Sequence, residues 1–239
     1  MPVPCSLLRF HVIPPLARSF STCRGCLGPL DRSAEAGLCG RCWEGLAALP
    51  EPRCSRCALS HDEDTLCPEP VAWNHGDALW DYHGGRPALG ALLVPGIKEG
   101  EQGWKTALLQ RVRGAQLPVW SSEIELVTSA PTALHRRWQR GFDLAEEAAD
   151  LLGQRLSVPF FRTLSKHFLV GRQAERTESE RRRLPRRAIA LRPRAAVQGR
   201  VILLVDDVWT TGTTLLRCSQ ALQEGGAADV RVLTLFRAL

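Results

Sequence analysis

The chain has 239 residues, of which 44% are hydrophobic and 23% are charged, and its 31 lysines and arginines outnumber its 25 aspartates and glutamates. This length accommodates one α/β domain and a small additional domain, and this composition excludes a disordered or fibrous protein. No apolar run reaches the ~18 residues of a membrane span, and prolines interrupt the N-terminal segment where a secretory signal needs a continuous apolar core. We therefore expect a cytoplasmic protein without membrane insertion.

Eight of the nine cysteines precede residue 70, and six of them form three successive C-x-x-C pairs. Disulfides are disfavoured in the reducing compartment that the missing signal indicates. Each pair presents two thiolates to one metal ion, and two pairs complete a tetrahedron. The first two pairs therefore predict a structural zinc site. Its ligands are Cys23, Cys26, Cys39 and Cys42.

The third pair belongs to an incomplete second set. Its thiolates are those of Cys54, Cys57 and Cys67. The fourth cysteine would fall at position 70, which is Pro70. Either His61 or His75 replaces the missing ligand of a second zinc ion, or this second site has decayed. Cys5 stands apart from both sets and is expected to be unliganded.

We expect three regions: a lead segment over residues 1–20, a cysteine-rich zinc ribbon over residues 21–70, and an α/β domain over residues 71–239. A ribbon of this size contains too few apolar residues for a core of its own, so zinc would stabilise its fold. Catalytic zinc would need an open coordination position and usually histidine or carboxylate ligands, which this pattern does not indicate.

Strand and helix patterns alternate in the third region. Apolar runs predict strands over 78–82, 124–128, 159–164, 201–205 and 230–236, of which 159–164 is the weakest. Helical spacing of apolar residues predicts helices over 86–94, 102–113, 142–152 and 212–223. Cys218 falls on the apolar face of the last helix and is predicted to be a core residue. This alternation predicts a parallel sheet with helices on both faces.

Positive charge is concentrated between the third predicted helix and the strand at 201–205. Residues 172–194 contain nine arginines and three glutamates, so their local net charge of +6 equals that of the whole chain. Such a segment indicates an anionic partner at that place. The alternative is a solvated, arginine-rich helix face.

Residues 201–214 read VILLVDDVWTTGTT and carry the clearest chemistry. A buried strand ends in Asp206 and Asp207, and in open α/β sheets ligands bind at the carboxyl ends of the strands. The free N–H groups of the helix that follows favour a phosphate. Adjacent carboxylates repel phosphate but accept hydrogen bonds from a pair of sugar hydroxyls, so the pattern predicts a ribose 5-phosphate site. Its loop residues are Thr210, Thr211, Gly212, Thr213 and Thr214.

Three other interpretations share part of this motif. A P-loop requires a lysine after its glycine, and no lysine follows Lys166. A phospho-receiver domain places paired aspartates after its first strand and needs about a hundred further residues, whereas 32 follow Asp207. In the third interpretation the aspartates only end a strand.

The motif resembles the phosphoribosyl pyrophosphate (PRPP) signature of type I phosphoribosyltransferases, and from about Cys23 onward the chain is similar to the ComF family of competence proteins. The cysteine pairs resemble that family's zinc ribbon. Residues 140–143 (RGFD) resemble its RGFN element, with Asp143 in place of asparagine. A further family stretch, Q-[ST]-G-L-[ST]-x-x-x-R-x-R-N, is matched at Gln173, Thr177, Arg181 and Arg183.

The resemblance implies a type I phosphoribosyltransferase fold that binds PRPP together with Mg²⁺. Asp206 and Asp207 would anchor the ribose hydroxyls directly or through the metal, and residues 210–214 would bind the 5-phosphate. The residues that would close over pyrophosphate are Arg140, Arg181, Arg182 and Arg183. The family's P-L-H turn is Pro131-Thr132-Ala133 here, so the resemblance supports phosphate binding more directly than turnover.

The resemblance also implies a role in DNA uptake during natural transformation, with a helicase-like partner. Two alternatives stay open: an active phosphoribosyltransferase of nucleotide metabolism, and a non-catalytic adaptor for single-stranded DNA that retains a vestigial PRPP site. In the adaptor, Trp43 or Trp138 would stack on bases.

Overall fold

The computed structural model describes residues 22–30, 32–61, 67, 71–132, 138, 141–166 and 188–238. Its strands are β1 (His75–Asp81), β2 (Leu126–Ser129), β3 (Leu164–Lys166), β4 (Ile189–Leu191), β5 (Val201–Trp209) and β6 (Asp229–Arg237). Strands β1, β6, β5 and β2 lie side by side in that order, and all are parallel. Strands β3 and β4 form a separate antiparallel pair. The predicted parallel sheet is thus confirmed.

The helices are α1 (Gly40–Glu44), α2 (Leu89–Lys98), α3 (Gln102–Gly114), α4 (Leu144–Leu156) and α5 (Thr213–Glu224), with a 3₁₀ turn at Val119–Glu123. Each predicted helix is present, although its ends shift by a few residues. None of the helices in the described ranges is long and apolar enough to cross a membrane.

One predicted strand differs from the structure. Of residues 159–164, only Leu164 lies in a regular strand, and that strand pairs with β4 rather than with the main sheet. Phe160 makes a single parallel bridge to Val127 of β2. Pro159 has no N–H group, so it contributes only its carbonyl oxygen, which accepts a bond from Val127 N.

Successive side chains of β5 point to opposite faces of the main sheet, so β5 places apolar residues on both faces. Each face is buried under helices. Leu203 and Val205 belong to one buried cluster, with α2, α3 and α4. Ile202 and Leu204 belong to the other, with α5. The cysteine-rich segment contributes to both clusters, through Cys23, Cys39 and Cys42 in the first and Cys57 in the second.

Candidate functional site

The two aspartates of the motif lie near the carboxyl end of β5, at the edge where parallel strands bind ligands. Asp206 Oδ1 accepts a hydrogen bond of 2.8 Å from Asp207 N. Asp207 Oδ2 lies 2.5 Å from Lys98 Nζ, which α2 supplies from the neighbouring layer. The carboxylates therefore differ, since only Asp207 is paired with this lysine.

Burial raises the pKa of Asp206 to about 8, and the charge of Asp207 adds to the rise because two like charges resist ionising together. The N–H group of Asp207 and the charge of Lys98 oppose the rise but do not cancel it. Asp206 is therefore protonated at neutral pH until a hydroxyl donor or cation stabilises its ionised form.

This raised pKa predicts that Asp206 limits the stability of the fold. The native state binds a proton that the unfolded chain releases near pH 4, so its contribution to stability falls as the pH rises from about 4 to about 8. We expect Asp206→Asn to raise the thermal midpoint at pH 9 by about 3–6 °C, or ~1–2 kcal/mol, with little change near pH 4. Thermal unfolding across this pH range measures the difference, and equal midpoints at pH 9 would contradict it.

The loop after β5 has the backbone that a phosphate site needs. Gly212 precedes α5 with φ of +68°, a left-handed conformation that strains any residue with a Cβ. The hydroxyl oxygens of Thr211 and Thr213 lie 3.0 Å apart. No side chain caps the first turn of α5, and the loop and Asp206 enclose a cavity of about 40 Å³. The first turn of α5 and the threonine hydroxyls therefore border the cavity where the motif predicts a phosphate.

A cleft of about 550 Å³ joins this loop to the aspartates. Lys98 and Lys166 both line it, so two of the three lysines of the chain face this cleft. Its other charged lining residues are Asp143, Asp206 and Asp207. Neither lysine belongs to a sequence motif, and neither was predicted as a site residue; their rarity beside 28 arginines was the one available signal.

Asp143 connects the RGFD element to the cleft. It is the N-cap of α4, and its side chain accepts a bond of 3.4 Å from Glu146 N. Burial raises its pKa, although a hydrogen bond with Thr132 opposes the rise. Aspartate and asparagine cap helices equally well, so the replacement of the family's asparagine preserves this role.

The four arginines expected over pyrophosphate are not among the residues that the structure describes. Arg140, Arg181, Arg182 and Arg183 lie outside the described residues, as does Ala133. Pro131 and Thr132 line the cleft and also a small cavity beside it. Three cationic side chains border that small cavity: Arg162, Lys166 and Arg192. These groups place positive charge beside Asp143, and none of the three was predicted as a site residue.

The first cysteine cluster has the geometry of a tetrahedral thiolate site. Cys23 Sγ lies 3.6 Å from Cys42 Sγ, and Cys26 Sγ lies 3.7 Å from Cys39 Sγ. Zn–S bonds of about 2.3 Å place sulfurs about 3.8 Å apart in a tetrahedron. The N–H groups of Gly25 and Cys39 point at Cys23 Sγ from 3.3 Å. The predicted ligands therefore fit a zinc ion.

The thiols of this cluster also have the electrostatics of a metal site. Burial opposes ionisation of Cys23, but N–H groups around its sulfur lower its pKa to about 6. Burial and the neighbouring thiols raise the pKa of Cys42. One thiolate therefore forms readily, and a divalent cation would remove the repulsion that keeps the others protonated.

The second cluster consists of Cys54, Cys57, His61 and Cys67, whose ligand atoms all lie within 4.8 Å of one another. Cys57 Sγ lies 3.4 Å from His61 Nε2, close to the roughly 3.5 Å that a shared zinc ion requires. His75 stacks on Trp120 instead, with ring centroids 6.0 Å apart. Of the two candidate histidines, His61 therefore completes the set.

Trp43, Trp138 and Cys218 differ in exposure, and this tests the roles predicted for them. Trp43 is 4% exposed, donates to the carbonyl oxygen of Glu35 and lies under the Arg111 guanidinium, so its expected role in base stacking is wrong. Trp138 is 87% exposed. Cys218 is buried, and burial raises its pKa well above the usual value, which agrees with the prediction of a core residue.

The chain is similar in sequence to a known domain family and to several known proteins. A family model described as a phosphoribosyl transferase domain matches residues 139–239. The DNA utilization protein YhgH of Escherichia coli K12 is 30% identical over 245 residues, which cover 85% of this chain and 98% of that protein. Competence protein F of Haemophilus influenzae is 27% identical over 229 residues, covering 90% and 96%.

Among solved structures, the chain is similar to the glutamine PRPP amidotransferase from B. subtilis in complex with ADP and GMP. It is 23% identical with a TM-score of 0.38, and the match covers 55% of this chain. The chain spans about a quarter of the length of that enzyme, 26%.

Proposed function

The chain belongs to the ComF family, and we propose that it binds PRPP at the carboxyl end of β5 and acts in DNA uptake or utilization. One observation carries the ligand: Asp206 and the loop around Gly212 line one continuous site, with sugar-hydroxyl acceptors at one end and phosphate donors at the other. The names of the relatives support the process, and the matching domain model supports the ligand.

The residues divide the ligand between them. The amides and hydroxyls of 210–214 would hold the 5-phosphate, and Asp206 and Asp207 would accept from the ribose hydroxyls. Lys98 and Lys166 would offset the negative charge of pyrophosphate. Mg²⁺, held beside the aspartates, would supply the additional positive charge that a pyrophosphate leaving group requires. Arg140 and Arg181–Arg183 are proposed to close over the same group.

Calorimetry with PRPP and Mg²⁺ tests this proposal. We expect one PRPP per chain, and competition by ribose 5-phosphate because both ligands share the sugar and the 5-phosphate. The absence of binding by the zinc-loaded full chain would overturn the proposed ligand. Pyrophosphate release over a panel of bases then separates an active phosphoribosyltransferase from a protein that only binds PRPP.

We propose that both cysteine clusters hold structural zinc, because their donor atoms fit a tetrahedron and the first has no open position for chemistry. Such thiolate sites persist in a reducing compartment, which supports a cytoplasmic location. A helicase-like partner is proposed from the family resemblance.

A second candidate function is direct binding of single-stranded DNA, favoured by the exposed Trp138 and the +6 charge of residues 172–194. Phosphate contacts make such binding salt-dependent, with a slope of about −0.7 per contact on a log–log plot. We expect replacement of Arg181, Arg182 and Arg183 by alanine to flatten this slope by up to about 2 units. Fluorescence anisotropy of labelled oligonucleotides across a salt series measures it.

The same triple variant distinguishes the two roles of the arginines. Loss of PRPP affinity with unchanged DNA binding would assign the segment to pyrophosphate. Loss of DNA binding with unchanged PRPP affinity would assign it to DNA. If both survive, the arginines are a solvated surface and the anionic-partner interpretation is wrong.

A further inference from the structure

We infer that Arg237 couples the second metal cluster to the phosphate loop, so that metal binding and phosphoribosyl-ligand binding strengthen each other. The phosphate loop is residues 210–214, and the second metal cluster is Cys54, Cys57, His61 and Cys67. The inference rests on the proposed function, because it assigns a form of regulation to the same PRPP site.

Arg237 is the last residue of β6 and only 1% exposed. Its Nη1 donates to the carbonyl oxygens of Trp209, at 3.0 Å, and Thr210, at 2.6 Å, where β5 ends and the phosphate loop begins. Its Nε donates to the carbonyl oxygen of Cys57, at 3.2 Å. One buried guanidinium therefore bonds at once to a cysteine of the metal cluster and to the first residue of the phosphate loop.

The turn at residues 54–57 presents two thiolates of the second metal cluster and is called the metal-binding turn below. Groups of the α/β domain donate hydrogen bonds to three of its consecutive carbonyl oxygens. Ser55 O accepts from Gly76 N at 2.8 Å, and Arg56 O accepts from Trp73 Nε1 at 2.7 Å. Cys57 O then accepts from Arg237. Because the metal would hold this turn in place, loss of the metal would let the three carbonyl oxygens move away from their hydrogen-bond donors.

Aromatic packing joins the same two regions. The rings of Trp73 and Trp209 meet edge to face, with centroids 5.3 Å apart, and the Arg237 guanidinium lies 4.6 Å from the Trp209 ring centroid. A Cβ at Gly76 would come within 2.5 Å of Arg56 O and 3.1 Å of Trp209, so the contact has no spare room. A shift of the metal-binding turn is therefore transmitted to the end of β5.

The energetic reason for coupling is the cost of unpaired buried donors. If the metal-binding turn moves, Arg237 loses an acceptor in a dry environment, and its remaining bonds to Trp209 and Thr210 must rearrange. Metal binding would thus order residues 210–214 in advance, and the phosphate ligand would pay a smaller entropy cost to bind them. Linkage requires the converse, since a ligand that orders the loop must raise metal affinity by the same factor.

Arg231 provides a matched control on the same strand. It is also buried, and it lies on the same strand six residues before Arg237. Its guanidinium pairs with the carboxylates of Glu123 and Asp229, far along the strand from the phosphate loop. Arg231→Lys therefore perturbs a buried arginine of this sheet without touching the proposed coupling.

A double-mutant cycle tests the inference. PRPP affinity is measured by calorimetry, with Mg²⁺, on the zinc-loaded full chain and on Arg237→Lys, Cys67→Ser and the double variant. We expect each single variant to weaken PRPP binding about 5- to 20-fold, within the usual range of coupling between sites. The double variant should bind PRPP no more weakly than the single variant with the lower affinity, because both substitutions remove the same coupling. Arg231→Lys should stay within twofold of wild type.

Reciprocity gives a second measurement. Saturating PRPP should raise the zinc affinity of the second cluster, measured by chelator competition, by the factor by which Cys67→Ser lowers PRPP affinity. Additive effects in the cycle, or a zinc affinity that PRPP does not change, would overturn the coupling.

Hydrogen exchange separates this inference from the proposed function. Removal of zinc should speed amide exchange at residues 210–214 of the wild-type chain even without PRPP. A wild-type chain that binds no PRPP but shows this response would overturn the proposed ligand and leave the coupling standing. Normal PRPP affinity with unchanged exchange would overturn the coupling alone.

Discussion

Replacing Asp206 and Asp207 together by asparagine is expected to weaken PRPP binding by about 10²-fold. Each carboxylate offers charge-assisted hydrogen bonds of roughly 1.5–3 kcal/mol, and two adjacent groups do not contribute additively. Asparagine keeps the size of the side chains and therefore the shape of the cleft, so the loss reports charge rather than packing. Calorimetry with PRPP and Mg²⁺ measures the change.

Asp150→Asn is a suitable control for this experiment, because Asp150 is exposed on α4 and accepts a hydrogen bond of 3.0 Å from Gln154 Nε2, one turn further along the same helix. Its PRPP affinity should equal that of wild type. The double variant should also remain folded, since burial already favours the neutral form of Asp206 and asparagine is neutral at every pH. Unchanged PRPP affinity in a folded double variant would move the ligand away from β5.

The sequence predicted the centre of the fold well because its central strands are locally unambiguous. Residues 201–205 are all branched aliphatics, as a strand buried on both faces requires, and glycines bound the helix that follows. The pairing of β3 with β4 was not predicted, because it joins residues 164–166 to residues 189–191 across a long connection. Local periodicity carries no information about such a partner.

The site shows the same division between local and non-local information. Asp206, Asp207 and the phosphate loop form one contiguous motif, so the sequence alone pointed to them. Lys98 lies on α2, more than one hundred residues earlier, and reaches Asp207 only because α2 covers one face of the sheet. A charge supplied by a different layer has no sequence pattern of its own.

The second metal cluster shows how geometry decides between equal alternatives. Spacing allowed either His61 or His75 to complete the three thiolates, because both follow the Cys54 pair at plausible distances. His75 begins β1, and the sheet directs its ring onto Trp120. His61 lies four residues after Cys57, and its Nε2 is 3.4 Å from Cys57 Sγ. The choice therefore depends on where β1 starts, which the cysteine spacing does not specify.

The cysteine-rich segment and the sheet are expected to unfold as one unit. Trp104 of α3 donates to Ala36 O at 2.9 Å, and Arg111 of α3 pairs with Glu35 at 2.9 Å while it covers Trp43. These contacts join the loop between the first two cysteine pairs to a helix of the main domain. A defect in the first metal cluster should therefore reach the core of the α/β domain.

Cys39→Ala is consequently expected to remove one zinc ion and to destabilise the whole chain by at least about 3 kcal/mol, or ~6–12 °C in thermal midpoint. The zinc ion would lose one of its four thiolate ligands, and without the metal the other three thiolates repel one another. The N–H group of residue 39 bonds to Cys23 Sγ, and the metal would no longer fix the turn that positions this N–H group. Metal analysis should show about two equivalents of zinc in wild type and about one in the variant. Calorimetric unfolding should remain a single transition at a lower temperature.

Cys218→Ala is the matched control, because it removes an equally buried thiol that lies on α5, outside both clusters. It should keep both zinc ions and lose only the packing of one sulfur, about 1 kcal/mol. A wild-type chain that is fully folded without metal would refute zinc as a structural element of this protein. A Cys39→Ala variant that loses zinc but melts like Cys218→Ala would show instead that the first cluster folds independently of the sheet, and that the contacts of Trp104 and Arg111 do not carry its stability into the α/β domain.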